Sequence, residues 1–337
     1  MAEEPTEWGG ALWAAADLVT PMAIRVAATL RLADHIAAGT RTAQALTTVV
    51  DADRDALGRL LDHLVTAGVL SRVDPGTYGL TALGERLRDD HPEGVRRWID
   101  LEGAVGRADL CFVQLLHTVR TGEPAFPRQF GRTFWDDLSA DPGLGASFDA
   151  LMGARLAQDA PAVADAYPWG ALGHVIDVGG GDASLLIALL RAHGALRGTV
   201  IDLPGPVARA DRAIASAGLD HRADARVGSF FDPLPAGAGG YLLSGVLHDW
   251  DDEAAVRILQ RCADAASETG RVLVVDHIGD AGGSPPDTEG DLRMLCYVRG
   301  RERTLDQVSA LAEPARLEVG SVVPAGSRSI IELRPTR

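Results

Sequence analysis

The stretch HVIDVGGGDASLL, residues 174–186, is an apolar run of strand length that ends in three consecutive glycines and restarts at helical spacing. That order is the first strand–turn–helix unit of an open α/β sheet, where glycines let the backbone come close to a ligand. Working outward from it, HVIDV, GTVID, ARVGS, GYLLSGV and RVLVVDHI alternate with helical patterns. Such alternation predicts a parallel sheet with helices on both faces. After a further helix near residues 304–313, LEVGSVV, a Pro-Ala-Gly-Ser turn and RSIIEL form a terminal hairpin.

Upstream the pattern changes. Residues 12–38 read as helical, with Leu18, Met22, Val26 and Leu30 on one face. Two helices follow, with Thr42 and Asp53 as N-caps and Gly68 closing the second, and an Asp74-Pro75-Gly76 turn then joins two short strands. This is a winged-helix pattern. Such domains commonly read DNA through the second helix, but here that helix offers Arg54 and Arg59 against Asp53, Asp55 and Asp62, so a protein-interaction role is expected. Residues 95–165 read as wholly helical, broken once around Pro124 and Pro127. The expected division is 1–94, 95–165 and 166–337.

The 337 residues include 32 basic residues, all arginine, against 47 acidic ones. A net charge of −15 argues against nucleic acid or an anionic membrane as partner, because binding phosphate wants positive charge. No apolar run approaches the ~18 residues of a membrane span, and the acidic start MAEEPTEWGG lacks the basic region of a signal peptide. A cytoplasmic location is expected. Cys111, Cys262 and Cys296 are scattered, which speaks against disulfides and structural zinc. No histidine pair has metal-ligand spacing, and no acidic cluster suggests magnesium.

The glycine turn fits two cofactors. In a dinucleotide fold G-x-G-x-x-G cradles a pyrophosphate, but Ser184 stands where the third glycine would be and Asp182 would repel a phosphate. Asp177 and Asp182 favour a cationic ligand instead. Asp202, 25 residues beyond Asp177 at the tip of the second strand, is placed for ribose hydroxyls in either case. The third strand ends in Ser229-Phe230-Phe231-Asp232, where Phe230 is an adenine platform or plain core.

LSGVLHDWDDEAAVRIL, residues 243–259, puts His248 just past the fourth strand, on the ligand-binding edge of the sheet. A phenol, with a pKa of ~10, is a poor nucleophile until a base takes its proton, and imidazole at an ordinary ~6.5 is free to do so. Asp276 or Glu302 could fix its tautomer. Asp249 is an N-cap for the following helix or part of the site, and His277 should point to the opposite sheet face.

In order, DVGGGDA, VIDLP, GSFFDPLP, LSGVLHDWDD, VLVVDHI, DLRML and RGRERT resemble the motifs of S-adenosylmethionine-dependent small-molecule O-methyltransferases over nearly the whole chain. The closest resemblance is to bacterial enzymes acting on aromatic polyketides, in particular the naphthoate O-methyltransferases of antibiotic pathways. It implies an α/β fold with a Rossmann-like class I methyltransferase sheet. Ahead of that sheet it implies an all-helical winged-helix dimerisation domain, the hairpin being the one exception, and hence a homodimer.

Carried over by motif, Gly179, Gly180 and Gly181 line the cofactor, Asp202 holds the ribose, Ser229 and Phe230 flank adenine, and Ser244 faces the methionine end. His248 is the base, framed by Asp276 and Glu302. The family's third glycine is Ala183 here, its adenine-motif aspartate is Ser229, and its fifth-strand glutamate is Asp276. The first of these is a modest change if Ala183 keeps a negative φ. Phe148, Met152, Met294 and Tyr297 are expected in the pocket walls, and Arg155, Arg293 or Arg25 on an acceptor carboxylate. The expected reaction is metal-free in-line methyl transfer, with S-adenosylhomocysteine as product. The rivals are a relative that uses the same cofactor for hydroxylation or decarboxylation, a winged-helix sensor of small molecules, and a nicotinamide dehydrogenase.

Overall fold

The computed structural model describes residues 10–279 and 287–336, which divide into two compact units, Met1–Arg107 and Ala108–Arg337. The first unit carries α1 (Gly10–Ala16), α2 (Val19–Thr29), α3 (Leu32–Ala37), α4 (Ala43–Val50), α5 (Arg54–Thr66), the hairpin β1 (Leu70–Asp74) and β2 (Thr77–Leu80), α6 (Ala82–Glu85), α7 (Val95–Ile99) and most of α8 (Ala104–Ala108). Thr42 and Asp53 cap α4 and α5 as expected, each accepting from the backbone N–H three residues on. The packed face of α2 differs from the expected one. Ala23, Ala27 and Ala28 are buried, whereas Leu18 is exposed and Met22, Val26 and Leu30 are only half-buried. Small side chains allow the close approach, and the large ones are left outward.

The second unit opens with a 3₁₀ turn (Asp109–Gln114), then α9 (Leu115–Thr121), α10 (Ala125–Phe130), α11 (Phe134–Ala140) and α12 (Pro142–Ala166). The helical middle is therefore broken repeatedly rather than once. Gly122 and Gly131, both at positive φ, end α9 and α10, while Pro127 sits inside α10. Residues 95–107 group with the first unit because α7 packs on α2 and Arg96 ties Asp89 and Asp100 to the Ala28 carbonyl.

The sheet follows: β3 (His174–Val178), α13 (Ser184–Ala192), β4 (Arg197–Asp202), α14 (Pro204–Ser216), β5 (Ala223–Val227), β6 (Gly240–Ser244), α15 (Asp252–Ala266) and β7 (Arg271–Asp276). After it come β8 (Ile278–Gly279), α16 (Thr288–Val298), β9 (Arg303–Thr304), α17 (Leu305–Ala312), β10 (Leu317–Ala325) and β11 (Arg328–Pro335). The strand order is β10-β11-β7-β6-β3-β4-β5, parallel except for the hairpin, whose β11 runs antiparallel to β7. From β3 the chain winds outward through β4 to β5 and then returns on the other side through β6 to β7. The switch point lies between β3 and β6, where such sheets bind ligands at their carboxyl ends.

One buried cluster lies between the sheet and α15 and α17, and another between the sheet and α12, α13 and α14. A third, of aromatic rings, joins residues 108–138 to α12 and α16. No single helix among the described residues is long and apolar enough to cross a membrane.

Candidate active site

Beyond β3 the backbone turns through Gly179 and Gly181 at φ of 75° and 59°. At Gly180 a Cβ would lie 2.6 Å from the Asp177 carboxylate, so glycine is required by space as well. Asp202, at the end of β4, accepts from the Gly181 N–H at 2.9 Å and the Leu203 N–H at 2.7 Å, which fixes its carboxylate beside the turn. Burial holds the Asp202 carboxyl above its usual range. Phe230 packs beside Gly179, in edge contact with Phe231 and Trp250.

Ala183 departs from the condition set for it. Its φ is +68°, in the left-handed region, and it is fully buried as the residue that opens α13. A Cβ there costs roughly 1–2 kcal/mol. Asp182 offsets part of that cost by accepting from the Ser184 N–H at 3.0 Å and the Ser184 hydroxyl at 2.6 Å. Helix α12 crosses this turn at Gly153, where a Cβ would meet the Asp182 carboxylate at 2.7 Å. One turn earlier Asp149 pairs with Arg209 of α14. Nothing in the sequence pattern marked Asp149.

Among the described residues, the buried polar atoms without a hydrogen-bond partner include the Asp177 Oδ1 and the Ser244 hydroxyl. Orphaned acceptors at this depth are costly. Burial raises the Asp177 carboxyl to about 7, with Asp202 and Asp182 adding to it. A cation with N–H donors suits this cleft, and a pyrophosphate does not.

His248 lies in the 3₁₀ turn Leu247–Asp249 that follows β6. Its Nδ1 is 3.0 Å from Glu302 Oε1 and 3.5 Å from Asp276 Oδ1, and its Nε2 is 3.5 Å from Asp249 Oδ1. Glu302 therefore makes the hydrogen bond, while the shorter Asp276 stands off. Burial pushes the imidazole pKa down, but Asp276, Asp249 and Glu302 outweigh it and hold it up at about 10, not at the ordinary value expected. Asp249 is no cap: Asp251 accepts from the Ala254 N–H and caps α15, and burial raises the Asp249 carboxyl to about 7. Of the three acids in HDWDD, only the coordinates show which one turns inward. The ligand atoms of His248, Asp276 and Glu302 lie within 4.8 Å of one another, so their spacing alone would admit a metal ion.

The rings of Phe134, Trp135, Phe148, Tyr297 and Trp250, the last of them two residues beyond His248, stack edge to face or in parallel, and Met294 packs with the cluster. Phe148, Met294 and Tyr297 are thus brought together, with Met152 one turn beyond Phe148 on α12. The arginines separate. Arg293 is engaged by Asp109 at 3.2 Å and Glu289 at 2.7 Å, with the Tyr297 hydroxyl also on Asp109, so it is neutralised rather than open to a substrate anion. Arg155 reaches His277, Nη2 to Nε2 3.2 Å, and His277, expected on the opposite sheet face, lines one cleft with His248 and Asp276. Arg25 belongs to α2 of the first unit.

Residues 112–317 match the family model of the O-methyltransferase domain, and residues 13–90 match that of the O-methyltransferase dimerisation domain. The chain is 55% identical to 2,7-dihydroxy-5-methyl-1-naphthoate 7-O-methyltransferase of Streptomyces carzinostaticus over 96% of both chains. It is 48% identical to the aclacinomycin 10-hydroxylase RdmB of Streptomyces purpurascens, over 93% of this chain and 85% of that one. Among solved structures it is similar to the O-methyltransferase NcsB1 from neocarzinostatin biosynthesis, in complex with S-adenosylmethionine and 2-hydroxy-5-methyl naphthoic acid. The TM-score is 0.92 at 55% identity, over 96% of this chain and 98% of that one.

Proposed function

This chain belongs to the S-adenosylmethionine-dependent O-methyltransferase family, and on that basis we propose that its acceptor is a phenolic hydroxyl of a hydroxynaphthoate-type aromatic acid in antibiotic biosynthesis. The observation that carries the acceptor class is the 55% identity, end to end, with a naphthoate O-methyltransferase. The aromatic cluster of Phe134, Phe148 and Tyr297, which reaches Trp250 through Trp135, supports it, since flat apolar side chains suit a fused ring.

Bound S-adenosylmethionine supplies an electrophilic methyl group on a sulfonium. Gly179, Gly180 and Gly181 line its turn, Asp202 takes the ribose hydroxyls, Ser229 and Phe230 flank the adenine, and the orphaned Asp177 and Ser244 oxygens gain partners at the methionine end. Phe148, Met152, Met294 and Tyr297 wall the acceptor, and Arg155 holds its carboxylate. His248 takes the phenolic proton. Asp276, Asp249 and Glu302 hold its pKa above the ordinary value, which makes the neutral imidazole a stronger base toward a phenol, and Glu302 and Asp276 stabilise the imidazolium that forms. Holding the reacting atoms in line contributes more than the base, up to ~7–11 kcal/mol against ~10²–10⁴-fold. No step calls for a metal ion, and the reaction is metal-independent.

A homodimer through residues 1–94 is supported by the dimerisation-domain match and by Leu12, Trp13, Leu18 and Val19, which stand exposed within the first unit. Residues 95–165 contribute the cover over the acceptor from residue 108 onward. A cytoplasmic location and the absence of nucleic-acid and membrane partners accord with a net charge of −15.

The test is incubation with S-adenosylmethionine and 2,7-dihydroxy-5-methyl-1-naphthoate. A product heavier by one methylene, with S-adenosylhomocysteine formed in equal amount, is expected. A product that gains oxygen or loses its carboxyl group, as the hydroxylase relative at 48% identity makes conceivable, would overturn methyl transfer.

A further inference from the structure

We propose that Gly300 and Arg303 are positioning residues for His248: the segment from Arg299 to Thr304 grips the turn that carries the histidine and holds base and Glu302 as one body. The proposal rests on His248 being the base. Three hydrogen bonds define the grip, and a fourth anchors the segment to α16. The Arg301 N–H donates to the His248 carbonyl at 2.8 Å, and the Gly300 N–H donates to the Met294 carbonyl at 3.0 Å. The Arg303 side chain, only 3% exposed, donates from Nη1 to the Leu247 carbonyl at 2.5 Å and from Nη2 to the Trp250 carbonyl at 2.7 Å. Those two carbonyls bracket His248, and the guanidinium fork spans them as a single ammonium could not. Arg303 is in turn held by Asp252 at 2.8 Å.

Gly300 sets the distance between the two segments. A Cβ there would sit 2.0 Å from the His248 carbonyl oxygen and 2.8 Å from the Asp249 carbonyl carbon, and both are backbone atoms with no rotamer to yield. Any side chain at 300 must therefore push the histidine turn away from the segment bearing Glu302. That segment is fixed on its other sides. Arg303 pairs with Ile278 in the two-residue β8–β9 ladder, just past Asp276, and the Glu302 N–H donates to Asp291 of α16 at 2.9 Å. Helix α16 also carries Met294 and Tyr297, so the acceptor's wall and the base share one support.

The experiment compares Gly300→Ala and Arg303→Lys with wild type and His248→Ala. Melting temperature and S-adenosylhomocysteine affinity serve as fold controls, kcat, KM and the pH dependence of kcat as the kinetic readout. A misplacement of about 1 Å lowers turnover by roughly 10²-fold. Gly300→Ala should lose about that much kcat with its cofactor affinity unchanged, and Arg303→Lys should lose less. In both, the His248 ring signals in NMR should titrate at lower pH than in wild type, because Glu302 is no longer held on Nδ1. If Gly300→Ala does not fold, Arg303→Lys and Asp291→Ala decide by the same readouts. Folded variants with wild-type kcat and an unmoved His248 titration would overturn the proposal. Wild-type kcat in His248→Ala would instead sink the base assignment, while the NMR titration would still report whether the segment positions the ring.

Discussion

His248 Nδ1 and Glu302 Oε1 meet at 3.0 Å although they lie 54 positions apart in the chain, and Asp276, the other acid expected to frame the imidazole, stands 3.5 Å away. The orienting carboxylate is thus delivered by the segment after α16 and not by the central strand β7. Replacing Glu302 by Gln keeps a hydrogen-bonding group but removes a charge that raises the imidazole pKa. Glu302→Gln should lower the plateau kcat and move the rising limb of the rate profile to lower pH, and Asp276→Asn should move it without the same loss of orientation. Steady-state kinetics across pH would separate the two effects. His248→Ala should lose ~10²–10⁴-fold in kcat with S-adenosylmethionine affinity intact.

The raised pKa fixes the sign of the pH dependence. At neutral pH His248 is mostly protonated, whereas the base must be neutral, so kcat/KM should climb about tenfold per pH unit above 7 and flatten near 10. A profile that is flat from pH 7 upward would contradict this.

Stability should run the opposite way. A histidine raised to about 10 contributes stability that is complete below its unfolded value of ~6.5 and is lost as the pH climbs through 10. Asp177 and Asp249, both raised to about 7, are penalised in the folded state as the pH rises from ~4 to 7. The melting temperature should therefore fall between pH 6 and pH 9.5. Saturating S-adenosylmethionine should recover more of the loss than the neutral S-adenosylhomocysteine does, because a cation favours the ionised Asp177.

Ala183→Gly should be tolerated. It releases roughly 1–2 kcal/mol of left-handed strain and gives back ~0.5–1 kcal/mol in chain entropy, together with the packing of one buried methyl. The unfolding free energy from denaturant titration should change by less than about 1 kcal/mol while activity is kept, and Ala183→Val, branched at Cβ, should unfold far more easily.

The two arginines should part company. Arg293→Ala removes the ion-pair partner of the Asp109 carboxylate, whose side chain is 8% exposed, and should destabilise the protein by about 1–3 kcal/mol without a specific rise in acceptor KM. Arg155→Ala should raise KM for a hydroxynaphthoate and leave stability nearly unchanged. The reverse pattern would return Arg293 to the acceptor site. Activity should also persist in EDTA.

The parallel strands, the glycine turn and the ends of α4 and α5 were legible because each depends on local signals: period, capping side chains and conformational freedom. Ala183 was not, since a left-handed alanine carries no sequence mark and is imposed by the turn around it. The partners of Asp249 and Arg293 were not legible, for a shared reason. Which acid an imidazole or a guanidinium finds depends on contacts between segments far apart, Arg293 and Asp109 being 184 residues from each other. The division of the helical middle followed from packing of α7 on α2, which helical periodicity alone does not encode.

Trp250, two residues beyond the histidine, lies nearly parallel to Trp135, with centroids 6.4 Å apart and planes 15° off, at the edge of the aromatic cluster. The pair makes the cleft its own optical reporter. An indole excited beside a bound naphthoate can pass its excitation to that acceptor, so occupancy becomes readable as quenched emission, with neither label nor turnover, in every variant named above.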